Sequence, residues 1–211
     1  MISLEIWNRL LQQVKSNRTL ETRIMNLYQI TAWSHELFRL QVKEEGVYID
    51  ATMGNGHDTL FLCQMAGEKG RVMAFDIQEQ ALEATDKLLR EHQMRERASL
   101  YLESHTAMDC YAEPGSVDGI IFNFGYLPGG DHALATRADT SVEAVSKGLV
   151  LLKKGGVMAL CIYSGGDTGY EEKDKILEYL RVQKEKKYLV IVNSFYNRKK
   201  DPPLPVFVVK K

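Results

Sequence analysis

From Gly46 onward the chain alternates between two hydrophobic periods. Short apolar runs of strand length fall at residues 47–51, 71–75, 99–102, 117–123, 157–163, 188–192 and 206–209. The stretches between them carry apolar residues at helical spacing. These are a helix from about 58 to 66, then the faces Ala81/Ala84/Leu88/Leu89, Val142/Val145/Leu149/Leu152 and Ile176/Leu177/Leu180. Upstream, Leu4, Trp7, Leu11 and Val14 within residues 2–16 predict one helix, and Ile30, Trp33, Leu37 and Leu40 predict another just before the first strand. These two helices are expected to cap the sheet or cover a ligand site.

Strand–helix alternation predicts a mostly parallel sheet with helices on both faces. The last two strands are joined only by a proline-containing turn, residues 195–205. A parallel pair needs a crossover of a dozen or more residues, so this pair is expected to be antiparallel. The expected fold is therefore α/β: seven strands, mostly parallel, with a terminal antiparallel hairpin. That arrangement resembles the Rossmann-like class I S-adenosylmethionine-dependent methyltransferases, although architecture alone does not fix function. The expected organisation is one domain, residues 30–211, preceded by a helical extension, residues 1–29.

Composition changes this picture little: 45% hydrophobic and 26% charged residues are ordinary for a globular domain. No apolar run approaches the roughly 20 residues that span a bilayer, and the first twenty residues lack a signal-peptide pattern, so a cytoplasmic protein with no membrane partner is expected. Cys63, Cys110 and Cys161 are odd in number and far apart, each in an apolar segment. They read as buried free thiols, with no disulfide framework and no metal site. Charge is more informative. Residues 181–211 carry nine basic side chains against Glu185 and Asp201, a local +7 within a chain of net charge −1. Such a tail suits an anionic partner, or is simply a solvated surface.

Candidate chemistry gathers at the ends of the predicted strands. Residues 47–59, Val-Tyr-Ile-Asp-Ala-Thr-Met-Gly-Asn-Gly-His-Asp-Thr, read as a strand, a glycine turn and a helix start. Gly54 and Gly56 let a ligand approach the backbone, and the first-turn N–H groups are available to bind it. Asp76 ends the second strand with Gln78 just beyond, where an acid accepts ribose hydroxyls in nucleotide-binding folds; the rival role is to cap the next helix. A dinucleotide turn wants a third glycine where this chain has Thr59. Asp58 would repel a pyrophosphate but favour the ammonium or sulfonium of a methyl donor. The fourth strand ends in Asn123-Phe-Gly-Tyr126, an N-x-x-Y loop that suits positioning of a nitrogen nucleophile, or a buried Asn closing a turn. Asp131 follows as a candidate proton acceptor or counter-ion for an amine, or as part of an ordinary Gly-Gly-Asp turn, and His132 could do either or neither. His105, past the third strand, lies where such folds contact adenine or is an ordinary surface or core histidine, and Tyr163–Asp167, past the fifth, borders a substrate mouth or simply makes a turn.

Taken together, D-A-T-M-G-N-G-H-D-T (50–59), F-D-I-Q (75–78), F-N-F-G-Y-L-P-G-G-D (122–131) and I-Y-S-G-G (162–166) resemble one bacterial methyltransferase family. That family carries the label rRNA methylase and includes the tRNA 5-aminomethyl-2-thiouridine methyltransferases. The resemblance runs from about Ile30 to Lys211, with Phe124 where the family loop usually has leucine. It implies that Gly54, Asn55, Gly56, His57 or Asp58, Asp76, Gln78 and His105 hold S-adenosylmethionine. It implies further that Asn123, Tyr126 and Asp131 face the amine of a wobble uridine. The basic C-terminal region and the N-terminal helices would then meet a tRNA anticodon stem-loop through phosphate contacts, with no role for DNA. The competing expectations are an rRNA base as substrate and, from another class, an NAD-dependent oxidoreductase or a non-catalytic nucleotide-binding module. Homo-oligomerisation is left open.

Overall fold

A computed structural model describes residues 29–125, 136–164, 169–199 and 202–211. The expected helix over 2–16 and the candidates Tyr126, Asp131, His132 and Asp167 lie outside these residues. In chain order the described elements are α1 (Ile30–Gln41), β1 (Val47–Asp50), α2 (His57–Ala66), β2 (Arg71–Asp76), α3 (Glu79–Glu91) and β3 (Ala98–Leu102). After the short 3-10 turn His105–Cys110 come β4 (Val117–Phe124), α4 (Ala138–Leu151), β5 (Leu152–Ile162), α5 (Gly169–Arg181), β6 (Tyr188–Val192) and β7 (Leu204–Lys210).

All seven strands join one sheet in the order β3-β2-β1-β4-β5-β7-β6. The first five are parallel, and β7 runs antiparallel between β5 and β6. The antiparallel pairing follows from the short β6–β7 connection, as the chain length between them required. Strand order reverses between β1 and β4, so the crevice beyond their carboxyl ends is where such a sheet binds ligands.

The sheet is buried on both faces. Ile49, Phe75, Ile120, Phe122 and Leu160 pack with α4 and α5 on one side. Tyr48, Val72, Ile121, Ala159 and Phe207 pack with α1, α2 and α3 on the other. The near-continuous apolar runs of the central strands are the signature of such two-sided burial.

Three details differ from the sequence reading. In α1 the buried residues are Ser34 and Phe38, and the expected face of Ile30, Trp33, Leu37 and Leu40 is only half-buried. The rotation is set by Phe38, whose ring seats over Gly119 of β4: a Cβ added there would lie 2.3 Å from Phe38 Cζ. Leu152, expected on a helix face, instead opens β5 and pairs with Val117. Cys63 and Cys161 are buried, but Cys110 is exposed, because the turn it ends directs Met108 inward instead.

Candidate active site

The turn after β1 is held from beneath by Asp50, which is fully buried. Its carboxylate accepts hydrogen bonds from Thr52 N at 3.1 Å and Thr59 Oγ1 at 2.6 Å. Burial, and then the charge of nearby Asp58, push the Asp50 pKa up to about 8. Gly54 (φ +48°) and Gly56 (φ +82°) occupy left-handed backbone, and a side chain at Gly56 would also strike Thr85 Oγ1, 2.8 Å from an added Cβ. Thr85 of α3 donates back to Gly54 O at 3.1 Å, so the turn is clasped by a helix that the motif itself does not contain.

Asp76 stands beside this turn. Its two oxygens accept from Gly54 N and Gln78 N, each at 3.0 Å. The local role and the ligand role therefore coexist, since each carboxylate oxygen keeps a lone pair for a ribose hydroxyl. Asn55 and His57 are exposed on the turn, and Gln78 is half-buried at the start of α3. His105 is 9% exposed, edge-on to the rings of Phe122 and Phe124. Burial lowers its pKa to about 4, so the imidazole is neutral near pH 7, and its Nε2 has no hydrogen-bond partner among the described residues. An acid, an open glycine turn and an unpartnered neutral imidazole at one sheet edge fit an adenosyl group.

Asp58 is engaged elsewhere. It is 6% exposed in the first turn of α2, where its charge complements the helix dipole. One carboxylate oxygen accepts from His35 Nε2 at 2.5 Å and the other from Asn123 Nδ2 at 2.9 Å. His35 is itself stacked on Phe61, ring centroids 4.0 Å apart. The backbone N–H of Asn123 donates to Thr52 Oγ1 at 2.7 Å. The Thr52 hydroxyl thus ties the glycine turn to the end of β4.

With its amide nitrogen on Asp58, Asn123 presents Oδ1 as an acceptor, buried and without a partner among the described residues. The Ser34 hydroxyl, in the same pocket between α1 and the ends of β4 and β5, is likewise without a partner. A buried acceptor left open is costly unless a ligand or water completes it. The Cys161 thiol on this pocket is pushed up to about 12 by burial and by Asp58, which keeps it protonated and unreactive.

Beyond Asn123 the backbone reaches Gly125, at φ +146°. Gly125 N donates to Thr136 Oγ1 at 3.1 Å, and Thr136 N donates to Gly125 O at 3.2 Å. A proline at position 125 would lack the N–H for the first of these bonds. Thr136 Oγ1 donates its own hydrogen bond to Glu172 Oε2 at 3.0 Å, while Ser141 Oγ donates to Oε1 at 2.5 Å. Glu172 is 2% exposed, and burial raises its pKa. Gly125 and Thr136 are thus bonded to each other, and Thr136 in turn to a buried carboxylate on α5.

Sequence reasoning named the glycine turn, Asp76, His105 and Asn123, and the fold brings all four to the same sheet edge. It missed His35, Thr85, Thr136 and Glu172. His35 alone carried a signal, a histidine beside the buried stripe of an otherwise apolar helix face.

Comparison with known proteins agrees with this geometry. The family profile described as "Putative rRNA methylase" matches residues 72–209. A chloroplastic tRNA (mnm(5)s(2)U34)-methyltransferase of Arabidopsis thaliana is 34% identical over 155 residues, covering 69% of this chain and 57% of that protein. The chain spans little more than half the length of that curated relative. An rRNA methylase structure from Clostridium thermocellum is 42% identical with a TM-score of 0.83, covering 86% of this chain and 97% of that one. A methyltransferase from Streptococcus mutans, solved in complex with SAH, is 32% identical with a TM-score of 0.77 and the same coverage. With its β3-β2-β1-β4-β5-β7-β6 sheet, its glycine turn and its Asn123 loop, the chain belongs to the rRNA methylase family of class I S-adenosylmethionine-dependent methyltransferases.

Proposed function

We propose that this chain methylates the aminomethyl nitrogen of 5-aminomethyl-2-thiouridine at the wobble position of tRNA, giving 5-methylaminomethyl-2-thiouridine. The observation that carries the reading is the open Oδ1 of Asn123. An acceptor held in place by a charged partner, Asp58, suits a nucleophile that brings N–H donors, and a primary amine does so. The likeness to the Arabidopsis wobble-uridine enzyme supports the same substrate.

S-adenosylmethionine supplies the methyl group. In this reading Asp76 receives the ribose hydroxyls, His105 and Gln78 border the adenine, and the Gly54–Gly56 turn with Asn55 and His57 follows the rest of the cofactor. Asn123 Oδ1 accepts one amine N–H and so turns the nitrogen lone pair toward the methyl, a positioning contribution to rate. Tyr126 flanks the amine. An aliphatic amine is mostly protonated at neutral pH, with a pKa of about 10, so a group must take its proton before transfer; Asp131 is assigned that role. Asp58 does not reach for the cofactor but fixes the rotamer of Asn123.

The test is nucleoside mass spectrometry of tRNA incubated with the purified chain and S-adenosylmethionine, using tRNA from cells deleted for the gene. The expected result is conversion of 5-aminomethyl-2-thiouridine to its methylated form. Methyl label appearing in rRNA and not in tRNA would favour the second reading, an rRNA base, which rests on the family's description.

A further inference from the structure

The sheet register divides the basic C-terminal region in two. Tyr188, which opens β6, pairs with Lys210 at the end of β7, so Arg181, Lys184, Lys186 and Lys187 approach the edge remote from the site. Lys210 is occupied there, donating to the carbonyls of Leu149, Val150 and Leu152 where α4 ends. The turn between β6 and β7 emerges instead at the site edge. Across the strands, Asn123 is in register with Cys161, and Cys161 with Pro205, whose carbonyl accepts from Asn193 N at 2.9 Å. Three inter-strand steps place Asn193 about 14 Å from Asn123. That is too far to touch the reacting nitrogen but near enough to hold what flanks it.

This turn carries the features of a single-strand platform. Tyr196 is 98% exposed. The Arg198 guanidinium lies over the Phe195 ring, 4.3 Å from its centroid, with exposed Lys199 next in the chain. The same edge holds Tyr163, 40% exposed at the end of β5, and Tyr170, 49% exposed at the start of α5 with Lys173 above its ring. A lone exposed tyrosine needs no explanation. Three at one edge, interleaved with cations on the side of the sheet where Asn123 ends β4, match the stacking-plus-phosphate chemistry of single-stranded nucleic acid recognition.

We propose that the β6–β7 turn grips the single-stranded RNA next to the target nucleotide, with Tyr196 stacking on a neighbouring base and Arg198 and Lys199 meeting phosphates. The proposal rests on the reading that the substrate is an RNA. It also assigns the remote lysines no part in binding.

The experiment is fluorescence anisotropy of the full chain with a fluorescein-labelled anticodon stem-loop RNA, alongside methylation kinetics and calorimetric titration with S-adenosylhomocysteine. Tyr196→Ala is expected to weaken RNA binding about tenfold, the effect of losing one stacked base, and to raise KM for tRNA with kcat held. Tyr196→Phe, which keeps the ring, binds like the wild type. Arg198→Ala with Lys199→Ala flattens the salt dependence of binding by about one unit of slope per lost phosphate contact, while Lys184→Ala with Lys187→Ala leaves it unchanged. All variants keep wild-type affinity for S-adenosylhomocysteine, which shows that the fold is intact. Wild-type affinity and KM in Tyr196→Ala would overturn the proposal and leave the RNA reading standing, as would equal losses in the alanine and phenylalanine variants. If the wild-type chain neither binds nor methylates RNA, the substrate reading fails and the platform with it.

Discussion

Replacing Asp58 with Asn tests whether the glycine turn serves the cofactor alone or also the acceptor. In the native chain the carboxylate takes two hydrogen bonds, from His35 Nε2 at 2.5 Å and Asn123 Nδ2 at 2.9 Å. An amide presents one oxygen and one NH2, so Asp58→Asn meets both partners with His35 in its other tautomer, and its oxygen then holds Asn123 without a charge. A hydrogen bond to a charged group contributes about 1.5–3 kcal/mol and a neutral one about 1 kcal/mol, so the hold on the Asn123 rotamer weakens by about 0.5–2 kcal/mol. At 1.4 kcal/mol per tenfold, kcat should fall roughly 2- to 30-fold. Stability should hold or rise, because the substitution removes a buried charge that also opposes ionisation of Asp50. The assay is steady-state methyl transfer to tRNA, with thermal unfolding and S-adenosylhomocysteine titration on the same samples. A variant with wild-type kcat would refute the positioning argument. One with lost cofactor affinity but unchanged kcat at saturating cofactor would return Asp58 to the cofactor.

Asp76→Ala removes the carboxylate beside the glycine turn and should weaken S-adenosylhomocysteine binding at least tenfold by calorimetry, roughly the net value of one charge-assisted hydrogen bond; equal affinity would refute the ribose assignment. Asp50 has a folded pKa near 8, above that of the unfolded carboxylate, so its contribution to stability is full below about pH 4 and is lost as pH rises toward 8. Relative to Asp50→Asn, the wild type should therefore lose on the order of 1.4 kcal/mol per pH unit within that window in urea unfolding, and a pH-independent difference would contradict it. Gly119→Ala drives a methyl into Phe38 and should cost about 1–3 kcal/mol of stability, part of it restored by a second change, Phe38→Leu; a single variant as stable as the wild type would show that α1 is not seated there.

The fold was legible because its signals are local. Strand and helix periods, the glycine turn and a connection too short for a crossover can each be read within a few residues, and together they leave one sheet topology. The rotation of α1 was not legible, because the hydrophobic stripe names a face about as wide as the error made. What turns the helix is a missing side chain on another element: Gly119 makes room for Phe38, and no pattern within residues 30–41 reports that. The exposure of Cys110 was hidden for a similar reason. Apolar neighbours in sequence mark a segment as near the core, but a 3-10 turn with three residues per turn sends adjacent side chains in different directions.

The site divides along the same line. Asp76 and Asn123 end strands, and strand ends in a parallel sheet share one edge, so topology alone brings them together. The contacts that give Asn123 its direction join residues 23 and 65 positions apart, and sequence spacing is silent about them. Asp58 was read as a charge for the cofactor because it follows the glycines; the fold shows that its side chain points through the turn toward β4. The two acids of the turn then divide their work by environment. Asp50, fully enclosed and facing Asp58, is pushed toward its neutral form by burial and then by that neighbour. Asp58 takes the Asn123 amide nitrogen, and the buried Oδ1 is left as the acceptor without a partner among the described residues.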